Sequence, residues 1–191
     1  MKQLVFATAN PNKIAEVKSK LGDGYDFLSL VDIGCIEEIP ETTGTLEGNA
    51  LQKARYVKDK YGYDCFAEDS GLEVDSLDNR PGVDTAHYSG SRDAQANMTK
   101  VLEELSGEVH RTARFRAVIA LVQGEREELF EGRVDGWIAK EMAGEGGFGY
   151  DPIFIPEGHA KTFAQLSQDI KKGISHRSRA VGKLVGYLGE G

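Results

Sequence analysis

Two short segments hold the side chains best suited to chemistry: Phe148-Gly149-Tyr150-Asp151-Pro152 and, about two dozen positions on, Ser175-His176-Arg177. An aromatic ring offers a face on which a flat heterocycle stacks, and a guanidinium fork reads adjacent acceptors such as purine O6 and N7. A third segment, Thr8-Ala9-Asn10-Pro11-Asn12-Lys13, follows a short apolar run and precedes a helical pattern. Free N–H groups at a helix start favour an anion, and Lys13 adds a point charge. The segment lacks the Gly-Lys-Ser/Thr ending of a Walker loop, and an Asn-capped turn with a solvated lysine is its plain alternative. A fourth feature is acidic: Glu37, Glu38 and Glu41 before the second long helix, and Glu68 and Asp69 at a strand end. Hard carboxylate oxygens suit Mg²⁺, which takes one or two of them and leaves other positions to water and phosphate. Glu37 and Glu38 read as ordinary acidic loop residues. Asp69 is followed by Ser70-Gly71, where a backbone can turn closely around a ligand. Together these parts describe an enzyme acting on a nucleotide.

The elements that must carry these residues follow from periodicity. Leu4 to Ala7 reads as a strand, and Ile14, Val17, Lys18 and Leu21 recur at helical spacing. Phe27 to Val31 offers a second strand. A helix runs from Thr45, with Leu46, Ala50, Lys53, Ala54 and Val57 on one face and Gly62 at its end. Cys65-Phe66-Ala67 is a short apolar strand ending at the acidic pair. A helix over Ala94 to Leu105 buries Met98, Val101, Leu102 and Leu105. Phe115 to Val122 and Glu128 to Val134 make a hairpin around Gly124-Glu125-Arg126. Gly144 to Gly149 reads as a flexible loop, and Ser175 caps a last helix through Leu188. Strands and helices interleave, and the hairpin breaks strict alternation, so the expectation is an α/β fold with a mixed sheet. Trp137 and most Phe and Tyr residues are expected in the core.

Composition bounds the rest. The chain has 191 residues, 40% of them hydrophobic, enough for one domain over 1–191 that buries roughly 70% of its unfolded surface. A net charge of −8 argues against a nucleic-acid-coating surface, which works by counterion release from Lys and Arg. Cys35 and Cys65 lack zinc spacing and nucleophile context, and two reduced thiols are expected. His87, His110 and His159 read as structural or exposed. No apolar run approaches the ~18 residues of a membrane span, and the N-terminus reads as a first strand rather than a signal peptide, so the cytoplasm is the expected address.

Six segments in this order resemble the inosine triphosphate pyrophosphatase family, the dITP/XTP pyrophosphatases: Thr8 to Lys13, Glu41 through Asn49-Ala50, Ala67-Glu68-Asp69-Ser70-Gly71-Leu72, Pro81-Gly82-Val83, Gly147 to Pro152 and Ser175-His176-Arg177. The resemblance implies hydrolysis of a nonstandard purine nucleoside triphosphate to monophosphate and pyrophosphate, with Mg²⁺, by a homodimer with an elongated mixed sheet flanked by helices. Carried over by position, Asp69 activates water and is also placed at the metal, and Glu41 is a Mg²⁺ ligand. Thr8, Ala9, Asn10, Pro11, Asn12, Lys13, Ser70 and Lys171 hold the triphosphate and sugar. Phe148, Gly149, Tyr150, Asp151, His176 and Arg177 enclose the base. The chain departs from the family pattern at Gly48, where relatives often carry a second Glu, at Pro40, where some carry an acid, and at Glu68, which replaces an Asp. Two rivals remain: a Maf-like pyrophosphatase of modified pyrimidine nucleotides, and a nucleotide sensor that binds without turnover.

Overall fold

The computed structural model describes residues 1–190 and, of Asn12, the backbone alone. Seven strands and five α-helices lie among them: β1 (Lys2–Phe6), α1 (Pro11–Leu21), β2 (Tyr25–Ser29), α2 (Leu46–Tyr61), β3 (Cys65–Val74), β4 (Arg80–Pro81), α3 (Ala94–Glu104), β5 (Thr112–Gln123), β6 (Arg126–Ile138), β7 (Phe154–Pro156), α4 (Gln168–Ile174) and α5 (His176–Gly189). The strands form one sheet in the order β2-β1-β3-β5-β6-β7, with β4 on β3. The pairs β1–β2 and β1–β3 are parallel, whereas β3–β4 and β6–β7 are antiparallel, so the sheet is mixed as expected.

The chain divides into two compact units. The first comprises Met1–Asp69, Val118–Glu131 and Ala180–Gly191; the second comprises Ser70–Ala117 and Gly132–Arg179. Strands β3, β5 and β6 each pass from one unit to the other. In the first unit, Leu4, Val5, Phe6, Val17, Ala50, Ala54, Val57, Phe66, Leu184 and Leu188 are buried, and Phe6 stacks on Phe66 with centroids 4.4 Å apart. In the second, Leu72, Met98, Val101, Leu105, Phe115, Ile138, Ile153, Phe154 and Phe163 belong to one apolar cluster.

Local chemistry accounts for the element ends. The Thr45 hydroxyl accepts from the Gly48 N–H at 2.9 Å and starts α2, while Gly62, at φ 80°, ends it. Asp93 caps α3 through the Gln95 N–H, and Ser175 caps α5 through the Ser178 N–H.

Several expectations shift. β2 stops at Ser29 rather than running to Val31, because the Ser29 N–H bonds Asp32 Oδ2 (2.7 Å) and the Asp32 N–H bonds Ser29 Oγ (3.2 Å), closing a turn. β3 does not end at the acidic pair. It continues to Val74, with Glu73 and Val74 pairing β4, so Asp69 sits within a strand and Ser70-Gly71 is not a turn. Gly71 serves a close approach instead: a Cβ there would lie 2.3 Å from the Gly82 carbonyl oxygen. The hairpin strands are longer at both ends than their apolar stretches; at the start of β5, Arg114 pairs with Glu73 across strands rather than ending the strand. Helix α4, capped by Ser167, had no apolar periodicity to announce it. Trp137 is 39% exposed, on the outward face of β6 between buried Gly136 and Ile138.

Candidate active site

In the first unit, α2 holds the preceding loop along its length. Tyr56 and Tyr61 donate their hydroxyls to Glu37 Oε1 at 2.9 and 2.7 Å, and Lys60 pairs with the same carboxylate. These partners, Lys60 first, hold the Glu37 carboxyl well below the usual carboxylate range. Gln52 accepts from the Thr42 N–H (2.8 Å) and donates to its hydroxyl (2.9 Å). Asn49, buried, accepts from both the Thr43 N–H and its hydroxyl. Between these ties, Lys53 Nζ pairs with Glu41 Oε1 at 2.8 Å and donates to the Glu68 carbonyl at 2.6 Å. A single ammonium thus joins the Glu41 loop to β3 next to Asp69. Lys13 Nζ lies 3.4 Å from Glu68 Oε1, and Glu68 is almost wholly buried. Thr8, Ala9 and Asn10 lead into α1, which begins at Pro11; the Asn10 N–H donates to the Thr8 hydroxyl at 3.2 Å. The side chain of Asn12 lies outside the described residues.

The departure at Gly48 has a local cause. A Cβ at that position would meet Thr43 Oγ1 at 2.2 Å and Thr45 Oγ1 at 2.7 Å. The Thr43 hydroxyl also accepts from the Thr45 N–H at 3.3 Å, the bond that a glutamate three residues past the cap ordinarily makes.

The second unit holds the remaining candidates. Asp151 is buried; its carboxylate accepts the Phe148 N–H at 3.0 Å and pairs with Lys171. Lys171 Nζ also sits 4.6 Å from the Phe148 ring centroid, so this lysine is grouped with the aromatic loop. Phe148 is 69% exposed and offers its ring to solvent. The loop is tied at several points: a Cβ at Gly147 would fall 2.2 Å from Asp151 Oδ2, and one at Gly144 or Gly146 would press on Ala164. Tyr150 differs from its neighbours. Its ring is 5% exposed and its hydroxyl donates to the Thr85 carbonyl at 2.7 Å. His176 and Arg177 open α5, half-buried, and the His176 ring stacks on Phe115 at 5.0 Å and 15°. Ser70 is half-buried on β3.

Sequence reasoning missed Lys53, Asn49, Gln52 and Phe115 as supports. Asn49, the adjacent Gln52 and Lys53, Tyr56 and Lys60 follow one another at three- or four-residue steps, a polar stripe that the apolar pattern of α2 concealed. His87 and His110 are exposed, as expected. Both cysteines are free and buried, and burial raises both thiols, which leaves them poor nucleophiles. An open groove of about 600 Å³, lined by Met1, Leu21, Tyr25 and Leu188 among others, contains none of the site candidates.

Among the described residues no three of His, Cys, Asp and Glu converge as a metal cage. Mg²⁺ does not require one, since it binds through one or two carboxylates and keeps water and phosphate oxygens. The carboxylates of Glu41 and Asp69, on a loop and a strand joined through Lys53, are hard-oxygen donors of the right kind.

The Ham1 family profile matches residues 4–187. A Porphyromonas gingivalis protein named dITP/XTP pyrophosphatase is 50% identical over 98% of each chain, and a Bacillus subtilis protein of the same name is 49% identical over 98% of each. The structure of the Staphylococcus aureus Ham1 protein superimposes with a TM-score of 0.95 at 37% identity, covering both chains fully. That of a Mycobacterium abscessus dITP/XTP pyrophosphatase gives 0.85 at 43% identity, covering 95% of this chain and 98% of its own. With its mixed sheet, its acidic strand and its aromatic loop all found within that match, the chain belongs to the Ham1 family.

Proposed function

We propose that the protein hydrolyses nonstandard purine nucleoside triphosphates, ITP/dITP and XTP/dXTP, to the monophosphate and pyrophosphate. The observation that carries this is the acidic group of the first unit: Glu41 bound through Lys53 to the strand that bears Asp69, in a chain half identical to proteins of that activity. Residues 1–191 act as one pyrophosphatase domain, as a homodimer in the cytoplasm. Among the described residues no helix is long and apolar enough to cross a membrane.

In this reading water attacks the α-phosphorus, the bond to the bridging oxygen breaks, and its electron pair leaves with pyrophosphate. Asp69 orients the water and takes its proton. Glu41 and Asp69 would hold Mg²⁺, which when bound would supply neutralising charge to the phosphate oxygens. Lys13 and the N–H groups at the start of α1 add to that charge, and Thr8 to Asn12 line the phosphate chain. Ser70 meets the sugar or phosphate. Phe148 stacks on the base and Lys171 keeps Asp151 and the ring in register. Arg177, with His176, faces O6 and N7. Adenine places an amino donor where Arg177 needs an acceptor, so adenine is refused firmly. Guanine shares the 6-oxo group, so its refusal is graded.

The test is a substrate panel of ITP, XTP, GTP, ATP and pyrimidine triphosphates with Mg²⁺, with pyrophosphate and orthophosphate assayed separately. Pyrophosphate from the oxopurines is expected. Orthophosphate alone would defeat the mechanism, a pyrimidine preference would point to a Maf-like enzyme, and binding without product would indicate a sensor.

A further inference from the structure

Thr85 occupies a junction within the second unit that no catalytic role accounts for. Its hydroxyl accepts the Leu72 N–H of β3 at 2.9 Å and donates to the Gly82 carbonyl at 2.6 Å. Its own carbonyl accepts the Tyr150 hydroxyl at 2.7 Å. Leu72 lies two residues past Ser70, and Tyr150 lies between Phe148 and Asp151. One residue therefore bonds both the strand that continues from Ser70 and the loop that presents Phe148. The short 3₁₀ turn bearing it, Gly82–His87, is itself fixed: Asn97, buried on α3, donates to the Ala86 carbonyl at 3.1 Å and accepts the Ser89 N–H at 2.7 Å. Close contact completes the junction, since a Cβ on Gly71 would come within 3.0 Å of Thr85 Oγ1.

We infer that Thr85 is a positioning residue, locking β3 just beyond Ser70 to the Phe148–Asp151 loop and so setting how strictly the purine base is read. The inference rests on the pyrophosphatase reading above. Discrimination by hydrogen bonds requires donors and acceptors at fixed places, because a loosened loop lets a wrong base find a tolerable pose. Tyr150, whose ring is buried, anchors that loop from within, and Thr85 is what it is anchored to. The phosphate-holding residues of the first unit take no part in this link, so base selectivity suffers more than turnover.

The experiment compares Thr85→Val, which keeps the shape and removes the hydroxyl, with Thr85→Ser, which restores it, and with Tyr150→Phe, which removes the donor to the Thr85 carbonyl. For each, kcat and KM are measured with ITP, GTP and ATP, and amide exchange is followed at Leu72. A neutral hydrogen bond corresponds to about a three- to tenfold change. Thr85→Val and Tyr150→Phe should each lower the preference for ITP over ATP and GTP by about that factor, mainly through KM. Leu72 exchange should speed up in Thr85→Val and hold in Thr85→Ser. Should Thr85→Val fail to fold, Tyr150→Phe carries the selectivity measurement and Thr85→Ser the rescue. Unchanged selectivity in an active Tyr150→Phe protein, or a Thr85→Ser protein as impaired as Thr85→Val, overturns the inference alone. An unmutated protein that releases no pyrophosphate from any purine triphosphate overturns the activity reading, and this inference with it.

Discussion

Lys53→Met removes one ammonium and nearly preserves side-chain volume, so its effect isolates two bonds. The first runs to the Glu68 carbonyl at 2.6 Å, from a lysine side chain only 12% exposed. A hydrogen bond from a charged donor contributes about 1.5–3 kcal/mol, and its loss leaves that carbonyl without this donor. The second is the 2.8 Å pair with Glu41, whose side chain is 43% exposed; solvent screening limits such a pair to less than about 1 kcal/mol. Together they predict a loss of about 2–4 kcal/mol, or roughly 4–16 °C in Tm for a chain of this size. Glu41→Gln breaks only the screened pair and should shift Tm by no more than about 4 °C. Scanning calorimetry or thermal denaturation followed by circular dichroism measures both variants. Equal, small shifts would mean that the bond to the strand carbonyl is not what holds this part of the molecule. Activity should divide the two differently: Glu41→Gln keeps an oxygen but removes the negative charge of a proposed cation ligand, so its apparent Mg²⁺ requirement should rise despite the milder Tm change.

Asp69→Asn should lower turnover by about 10²–10⁴-fold with Tm and circular dichroism little altered; retained turnover would remove Asp69 from proton transfer. Glu37 titrates below its ordinary value of 4.5 in the folded protein, so its contribution to stability is present above that value and lost as pH falls through the depressed one. Glu37→Gln should therefore flatten the acid side of the Tm-against-pH curve below about pH 4.5, and an unchanged curve would show that its partners do not hold it. Gly71→Ala places a methyl 2.3 Å from a backbone carbonyl oxygen, an overpacking that costs about 1–3 kcal/mol, or roughly 2–12 °C in Tm. A neutral result would show that the two backbones separate easily.

Much of the scaffold could be read ahead of the structure where the signals are local. Helix α2 announces itself by its Thr45 cap, its spaced apolar residues and its terminal Gly62, and the observed helix ends within a residue of that reading. The same holds for α3 and α5. What resisted were features decided by distant partners. Glu68-Asp69-Ser70-Gly71 has the composition of a turn, yet it lies inside β3, which runs on to pair β4 at Glu73 and Val74, and the Gly82 carbonyl closes on Gly71. Trp137 is large and apolar, but strand alternation assigned it to the outer face. The site candidates were found because their residue types are unusual together. Their supports, Lys53, Asn49, Thr85 and Phe115, were overlooked because each is an ordinary residue whose task depends on what folding brings beside it.

The crowding between Thr43 and position 48 bears on how this chain can be changed. A glutamate introduced alone at 48 meets an occupied volume and displaces the hydroxyl that caps α2, so a single graft of that acid should harm the protein before it can add a ligand. Trimming Thr43 first removes the nearer obstacle, so that only the Thr45 hydroxyl at 2.7 Å must give way, and leaves the Thr45 N–H in need of the new carboxylate. The two positions form an ordered pair, and the route toward a third acid runs through 43.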